Sequence, residues 1–250
     1  ATLLSGLPVS IPASTVNRLC GSGLDAVISA AREIETSDSN LVVAGGVESM
    51  TRAPWVMLKN EQGFPSGNAE LVSTSLGWRL INPRMKSTWT LSLGEANEIV
   101  AEKYQVTREE QDEFALSSHQ LAHEAWESGF YDSITSLVPN TDLTRDESIR
   151  SNSVIADLAK LKPVFRNDGT ITAGNSSTLS DGAGAILVGS QAAAGQLGLD
   201  AIFRIASRSA VGVEPELFGI APIEAANKAI AKAGISWEQV GAVELNEAFA

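Results

Sequence analysis

The segment Cys20-Gly21-Ser22-Gly23 is the part of the chain best suited to covalent chemistry. It stands directly before residues whose apolar positions recur at helical spacing, so Cys20 is expected at the N-terminus of a helix. Backbone N–H groups and the helix dipole favour negative charge there, which stabilises the thiolate, the nucleophilic form of cysteine. The two glycines let a substrate approach the backbone closely, and the same N–H groups suit an oxyanion.

Two other interpretations of this segment stay open at this point. A lone cysteine is commonly a small buried structural residue. Gly21 to Ala26 also fits G-x-G-x-x-A, the pattern of a dinucleotide-binding turn. That motif follows a buried strand, whereas the segment 15–19 is short and polar in its middle. We therefore favour the interpretation of Cys20 as a nucleophile.

A nucleophilic cysteine normally needs a base, and the chain contains two histidines, His119 and His123. They are four residues apart on a predicted helix, a spacing that also suits a metal pair. Neither the glutamate of the helical zinc motif nor an evident third ligand accompanies them. We therefore interpret them as one solvated or half-buried helix face, predict no metal site, and find no convincing base.

Two further stretches are rich in polar groups at positions where loops are expected. Residues 174–182 are dense in small polar side chains, which is typical of a turn and also of a loop that lines a polar ligand. Glu244 to Glu247 place polar groups at the end of a short apolar run, where a purely structural role is less natural.

The elements that must position these residues follow an α/β pattern. Leu24 to Glu35 reads as an amphipathic helix, and Leu41 to Ala44 as a buried strand ended by Gly45-Gly46. A helix followed by a buried strand indicates a parallel sheet. Thr107 and Glu110 form a capping-box pair that opens a predicted helix to about Ser128, and Ser236 with Gln239 predicts one more capped turn. The other predicted elements are irregular structure over 51–92, a helix over 94–104, a surface loop over 139–153, strands within 185–188, 202–213 and 243–245, and a helix from Pro222 to Ala233 that ends at Gly234.

Composition limits the class of function. Hydrophobic residues make up 44% of the 250 residues and charged residues 19%, as in ordinary globular proteins. The formal net charge of −12 disfavours nucleic acid as a partner. One cysteine permits no intrachain disulfide. We expect no membrane span and no signal peptide, and a cytoplasmic location.

Four stretches that occur in order along the chain resemble the thiolase family. They are Val16 to Gly23 around the cysteine, Ala44 to Thr51, Thr172 to Ser177, and Asn246 to Phe249. The resemblance implies an α/β fold of two related βαβαβ halves in α-β-α-β-α layers, truncated at both ends. It implies an N-terminal half over residues 1–192 with an inserted loop domain at about 53–172, and a C-terminal half over 199–250.

The resemblance also implies a reaction. Cys20 would take an acyl group as a thioester, in the cleavage of a 3-ketoacyl-CoA by CoA to acetyl-CoA and a shortened acyl-CoA, or in the reverse Claisen condensation. Coenzyme A would be a co-substrate, with no permanently bound cofactor. The partners implied are acyl-CoA, CoA and further copies of the chain in a homodimer or homotetramer. Fatty acid or aromatic degradation is the implied setting.

Residue roles follow from the matched stretches. Asn246 matches the family residue that holds an oxyanion-stabilising water, and Ser177 the serine that contacts the pantetheine arm. Arg150 matches the arginine that packs on the CoA adenine, a contact that suits a guanidinium. Asp157 and Leu161 fall in the adenine-side segment.

Leu93 is assigned to the substrate pocket, although the sequence departs from the family there. The family often has His-Met before the glycine that matches Gly94, and this chain has Ser92-Leu93, which argues against the short-chain biosynthetic subtype. Residues 77–83 resemble degradative, ketoadipyl-type members.

A second departure concerns catalysis by these residues alone. The family's Gly-His-Pro motif with its base, and its second catalytic cysteine, follow a stretch like Asn246 to Ala250 and are absent here. We therefore expect the 250 residues to lack thiolysis activity, with apolar surface and strand edges left open. Two alternatives remain: a ketoacyl-synthase-like condensing enzyme, which the Asn246 to Phe249 stretch disfavours, and a non-catalytic CoA- or lipid-binding module.

Overall fold

The computed structural model describes residues 1–60 and 62–250. The α-helices are α1 (Ser22–Glu35), α2 (Leu93–Tyr104), α3 (Arg108–Glu127), α4 (Ile155–Leu158), α5 (Gln191–Leu197) and α6 (Ala221–Ala233). The strands are β1 (Leu41–Glu48), β2 (Trp55–Val56), β3 (Val72–Ser73) and β4 (Gly182–Gly189). Short 3-10 helices cover Thr2–Leu4, Met50–Arg52, Ser87–Thr90, Pro215–Ile220 and Trp237–Gln239.

The chain divides into two compact units. The first comprises residues 1–49 and 181–208, and the second comprises residues 50–180 and 209–250. Cys20 lies in the first unit. All five tryptophans of the chain lie in the second, at positions 55, 78, 89, 126 and 237.

The first unit is a helix packed on a two-stranded sheet. Strands β1 and β4 run antiparallel over their whole length, from the pair Leu41 and Gly189 to the pair Glu48 and Gly182. Helix α1 covers one face of the sheet, where Ala30, Ala44 and Val188 form a small buried core. The predicted parallel arrangement is therefore wrong for this pair. The sequence of a single strand does not show whether its neighbour runs parallel or antiparallel to it.

Strand β1 also runs further than predicted, straight through Gly45 and Gly46. A Cβ atom on Gly45 would lie 2.5 Å from the carbonyl oxygen of Gly184, so the missing side chain is what lets the two backbones approach. These glycines therefore serve the pairing and do not end the strand. The other sheet face stays open: Val43 is 60% exposed and Val47 is 72% exposed.

The second unit contains the helices that the sequence marked most clearly. Thr107 accepts the N–H of Glu110 while the Glu110 carboxylate accepts the N–H of Thr107, so the predicted capping box opens α3. Helix α6 begins beside Pro222 and ends at Gly234, whose φ of 71° is left-handed as expected for a C-cap. None of the helices in the described residues is long and apolar enough to cross a bilayer.

Two predicted strands are not formed. Residues 202–213 and 243–245 carry no strand assignment. Both are apolar runs with the right composition, but a strand also needs a hydrogen-bonded neighbour. The only strand pairs among the described residues are β1 with β4 and β2 with β3.

Candidate active site

Cys20 sits in a tight turn immediately before α1, with its thiol exposed. Short polar side chains hold this turn. The Asn17 carboxamide oxygen accepts the N–H of Leu19 at 2.9 Å, and Ser22 Oγ accepts the N–H of Arg18 at 2.8 Å. Ser22 Oγ also donates to the Leu19 carbonyl at 2.7 Å. The cysteine is therefore presented by a fixed backbone.

The backbone around Cys20 is strained on one side and open on the other. Leu19 has a φ of 49°, a left-handed conformation that costs a leucine roughly 1 kcal/mol or more. A Cβ on Gly23 would meet nothing within 4 Å, and Gly23 has no positive φ. Neither packing nor conformation within the chain explains this glycine, whereas close approach of another molecule does.

The N-terminus of α1 offers hydrogen-bond donors beside the thiol. Within the described part of the chain, the N–H groups of Gly23 and Leu24 reach no acceptor. Unsatisfied N–H groups at the first turn of a helix favour an anion. The turn therefore suits both a thiolate on Cys20 and an oxyanion formed at its acyl group.

In the second unit, the structure brings together the stretches that hold Ser177 and Asn246. The N–H of Ser177 donates to the Ala248 carbonyl at 3.0 Å, and the N–H of Ala250 donates to the Asn175 carbonyl at 2.9 Å. The side chains of Ser177 and Asn246 are both exposed. Two of the four stretches singled out from the sequence thus run side by side, although they are about 70 residues apart.

Leu93, at the start of α2, is tied to the same region through aromatic packing. The neighbouring Gly94 is buried, and a Cβ there would lie 2.1 Å from the ring of Phe165. Phe165 in turn meets Phe249 edge to face, with ring centroids 6.1 Å apart. Gly94 therefore lets one aromatic ring connect the start of α2 to the segment that contains Asn246.

Arg150 lines a cavity of about 360 Å³. The cavity lies between the segment that precedes α4 and α4 itself, and its lining residues are Ile149, Arg150, Ser151, Asn152, Ser153, Val154, Asp157 and Leu158. The Arg150 guanidinium donates to the Glu147 carbonyl at 2.7 Å. The backbone N–H of Arg150 donates to His119 Nδ1 at 3.2 Å. The Arg150 guanidinium is thus held beside a cavity with both polar and apolar lining residues.

Asp157 and Leu161 differ in what they contact. Asp157 lines the cavity and pairs with Lys160 at 2.7 Å, but both side chains are mostly exposed, so this pair adds little stability. Leu161 does not line the cavity. Its side chain packs on Gly174, where a Cβ would come within 2.5 Å of it, so Leu161 supports the loop that leads to Ser177.

The two histidines of α3 lie in different surroundings. His119 is half-buried and accepts the hydrogen bond from Arg150, while His123 Nδ1 lies 3.8 Å from Glu127. No third His, Cys, Asp or Glu completes a metal site with them among the residues that the structure describes. Burial lowers the pKa of His119, the Arg150 charge lowers it further, and Glu247 opposes the shift.

This lowered pKa predicts a pH dependence of stability. The unfolded chain binds a proton to His119 more readily than the folded chain, so stability is complete above about pH 6.5 and falls as the pH drops below it. His119→Gln keeps an acceptor and removes the titration, so it should lose less stability than the wild type between about pH 7.5 and about pH 5.5. Urea unfolding followed by tryptophan fluorescence measures this, with His123→Gln as the matched histidine control. An equal loss in wild type and His119→Gln would contradict the prediction.

Sequence reasoning missed a buried polar cluster in the second unit. Glu98, Gln111, Asp112, Thr172 and Asn175 are each no more than 3% exposed. The Glu98 carboxylate accepts from both the N–H and the hydroxyl of Thr170 and from the N–H of Ile171, at 2.9 to 3.0 Å. One signal was available: Gln111 and Asp112 lie one helical turn from Ala115, on the face that the apolar pattern turns inward.

Comparison with known proteins covers the whole chain. The profile described as "Thiolase, N-terminal domain" matches residues 1–192, and the one described as "Thiolase, C-terminal domain" matches residues 199–250. A beta-ketoadipyl-CoA thiolase of Acinetobacter baylyi is 42% identical over 260 residues, and an acetyl-CoA acetyltransferase of Pseudomonas aeruginosa is 44% identical over 260 residues. Each alignment includes 100% of this chain and 64% of the relative.

Solved structures agree with the sequence relatives. Human mitochondrial 3-ketoacyl-CoA thiolase in complex with CoA matches with a TM-score of 0.90 and 33% identity over 99% of this chain and 62% of that one. The acetyl-CoA acetyltransferase of Bacillus anthracis matches with a TM-score of 0.87 and 36% identity, over 99% of this chain and 63% of that one. The chain thus spans less than two thirds of these proteins. It has the predicted thiolase-type α/β fold and belongs to the thiolase family.

Proposed function

We propose that the protein to which this chain belongs transfers acyl groups between CoA thioesters, with Cys20 as the nucleophile. The observation that supports this most directly is the exposed Cys20 thiol, held at the N-terminus of α1 beside unsatisfied N–H groups and open glycine backbone. Relatives named beta-ketoadipyl-CoA thiolase, 3-oxoadipyl-CoA/3-oxo-5,6-dehydrosuberyl-CoA thiolase and acetyl-CoA acetyltransferase support the substrate class.

The proposed reaction has two steps that share one intermediate. The Cys20 thiolate attacks the 3-keto carbon of a 3-ketoacyl-CoA, the bond between C2 and C3 breaks, and the departing carbanion takes a proton to leave as acetyl-CoA. The acyl group stays on Sγ as a thioester. The thiolate of a second CoA then attacks that thioester, which frees Sγ and forms the shortened acyl-CoA. The reverse sequence is a Claisen condensation.

We propose that residues of the second unit bind CoA. Arg150 stacks on the adenine, which a guanidinium that lines a cavity can do, and Asp157 lines the same cavity. Leu161 shapes the adenine-side segment, and Ser177 contacts the pantetheine arm. Leu93 lies on the acyl side, and Asn246 holds the water that stabilises an oxyanion.

The finer properties of the complete enzyme are also proposals. Relatives named for beta-ketoadipyl-CoA and 3-oxoadipyl-CoA support a degradative role on the products of aromatic compounds. We propose that the complete enzyme acts in the cytoplasm as a homodimer or homotetramer. Residues 1–192, which include the inserted loop domain at about 53–172, and residues 199–250 would be parts of its two related halves. Light scattering after size-exclusion chromatography measures its oligomeric state.

Stoichiometric acylation tests the proposed role of Cys20 on this chain itself. With acetyl-CoA, the Cys20 thiolate should displace CoA and gain one acetyl group, which intact-mass and peptide mass spectrometry locate. We expect the modification on Cys20, with none after Cys20→Ala. Because binding of CoA should guide the reaction, an acetyl thioester of a small thiol should react at least about tenfold more slowly at equal concentration.

A competition control separates guided acylation from ordinary thiol chemistry. Desulfo-CoA should slow the reaction with acetyl-CoA by competing for the CoA site, and it should leave the slower reaction with the small thioester unchanged. Equal rates with the small thioester and acetyl-CoA, unaffected by desulfo-CoA, would show that Cys20 is merely an accessible thiol and would overturn the proposal.

A further inference from the structure

Asp112 and Asn175 form a buried contact between two segments that are distant in sequence. Both residues are 2% exposed, and Asn175 Nδ2 donates to Asp112 Oδ1 at 2.9 Å. Asp112 belongs to α3, whereas Asn175 belongs to the loop of residues 172–177 that contains Ser177. A hydrogen bond to a buried carboxylate is strong, and either partner is costly to leave unpaired.

Asn175 shapes this loop with both its side chain and its backbone carbonyl. Its Oδ1 accepts the N–H of Thr172 at 2.7 Å, and its Nδ2 also donates to the Thr170 carbonyl at 3.0 Å. Its backbone carbonyl accepts the N–H of Ala250. The loop and the segment that follows Asn246 are therefore both fixed from Asn175.

The other oxygen of Asp112 connects to the adenine-side segment. Asp112 Oδ2 accepts from Arg108 Nε at 2.8 Å. The same guanidinium donates through Nη2 to the carbonyls of Leu158 and Leu161, at 2.7 and 3.0 Å. These carbonyls lie at and just beyond the end of α4, which lines the cavity with Arg150. One carboxylate thus joins the cavity segment to the Ser177 loop.

We propose that Asp112 is a positioning residue for CoA binding, which sets the spacing between the cavity beside Arg150 and the loop that carries Ser177. This rests on the proposed function. CoA is a long, flexible ligand, and its two ends bind as linked groups, so its affinity depends on how well the two subsites are held at the matching distance. Asp112 touches neither subsite and acts through Asn175 and Arg108.

Binding of whole CoA and of its adenine end separates positioning from simple stability. Asp112→Asn is nearly isosteric and leaves Arg108 on the Leu158 and Leu161 carbonyls, so the cavity segment should keep its shape. We expect the Kd of CoA, measured by calorimetry, to rise about tenfold. The Kd of adenosine 3′,5′-bisphosphate should stay within about twofold.

Two further variants sharpen the test. Glu113→Gln removes the neighbouring, exposed carboxylate of α3 and should leave both Kd values unchanged. Arg108→Lys keeps a charge beside Asp112 but loses the fork that reaches both carbonyls, so it should weaken adenosine 3′,5′-bisphosphate as well as CoA. This second profile remains measurable if Asp112→Asn does not fold.

A double variant tests the contact itself. In Asp112→Asn with Asn175→Asp, the new amide can donate to the new carboxylate, so CoA should bind more tightly than to the Asn175→Asp chain. Parallel weakening of both ligands by Asp112→Asn, or an unchanged Kd for CoA, would overturn the positioning role. If the wild-type chain binds neither adenosine 3′,5′-bisphosphate nor CoA, the proposed function fails, and the positioning role fails with it.

Discussion

Replacing Glu98 with alanine should lower the unfolding free energy of the second unit by about 3 kcal/mol or more. The Glu98 carboxylate is 3% exposed and accepts hydrogen bonds from three donors, which are the N–H and hydroxyl of Thr170 and the N–H of Ile171. Alanine leaves those donors buried without an acceptor, and each such loss costs about 1 kcal/mol or more. Urea unfolding followed by tryptophan fluorescence reads this unit, because all five tryptophans lie in it.

Glu102→Ala is the matched control, since Glu102 lies one turn further along α2. Its side chain is 78% exposed and pairs with Arg166 at 3.3 Å, so its removal should change stability by no more than about 0.5 kcal/mol. Glu98→Gln keeps one acceptor oxygen and should fall between the two. If Glu98→Ala unfolded at the same urea concentration as Glu102→Ala, the buried carboxylate would not hold the Thr170 segment.

Gly45→Ala should open the sheet of the first unit. Its new Cβ would lie 2.5 Å from the Gly184 carbonyl oxygen and 3.1 Å from Ala185 Cα, and backbone atoms cannot move aside as a side-chain end can. Overpacking of this kind costs about 1–3 kcal/mol. Hydrogen exchange in the peptides of β1 and β4, read by mass spectrometry, should speed up accordingly.

Gly46→Ala provides the control within the same strand. A Cβ at Gly46 meets nothing within 4 Å, so exchange in β1 and β4 should match the wild type within about 0.5 kcal/mol. The same substitution should therefore speed exchange at one glycine and leave it unchanged at the next. Similar exchange in both variants would mean that the strands separate without resistance, against the close approach at Gly45.

Local signals in the sequence predicted local structure well. The Thr107 and Glu110 capping box opens α3, and Gly234 caps the C-terminus of α6, as the sequence predicts. The pair Ser236 and Gln239 likewise caps a short 3-10 turn. Each of these features depends on residues within one or two turns, which a sequence displays directly.

Features that depend on distant partners were predicted less well. Residues 202–213 and 243–245 have strand composition but no ladder, and β1 pairs antiparallel to β4 instead of lying in a parallel sheet. A strand is completed by its neighbour, and neither the neighbour nor its direction is written in the strand.

The candidate site shows the same division. Cys20 could be singled out from its glycines and the helix after it, because both are adjacent in sequence. The Asp112 and Asn175 contact could not, because burial of polar residues reverses the usual hydrophobic pattern and is visible only once the partners are known.

The positions of the cysteine and the tryptophans allow a distance measurement by fluorescence energy transfer. Its single cysteine lies in one compact unit and all five tryptophans lie in the other. With a dye on Cys20 as acceptor and those tryptophans as donors, the efficiency of energy transfer would measure the separation of the two units in solution. The separation can then be followed as adenosine 3′,5′-bisphosphate is added, without introducing a single substitution.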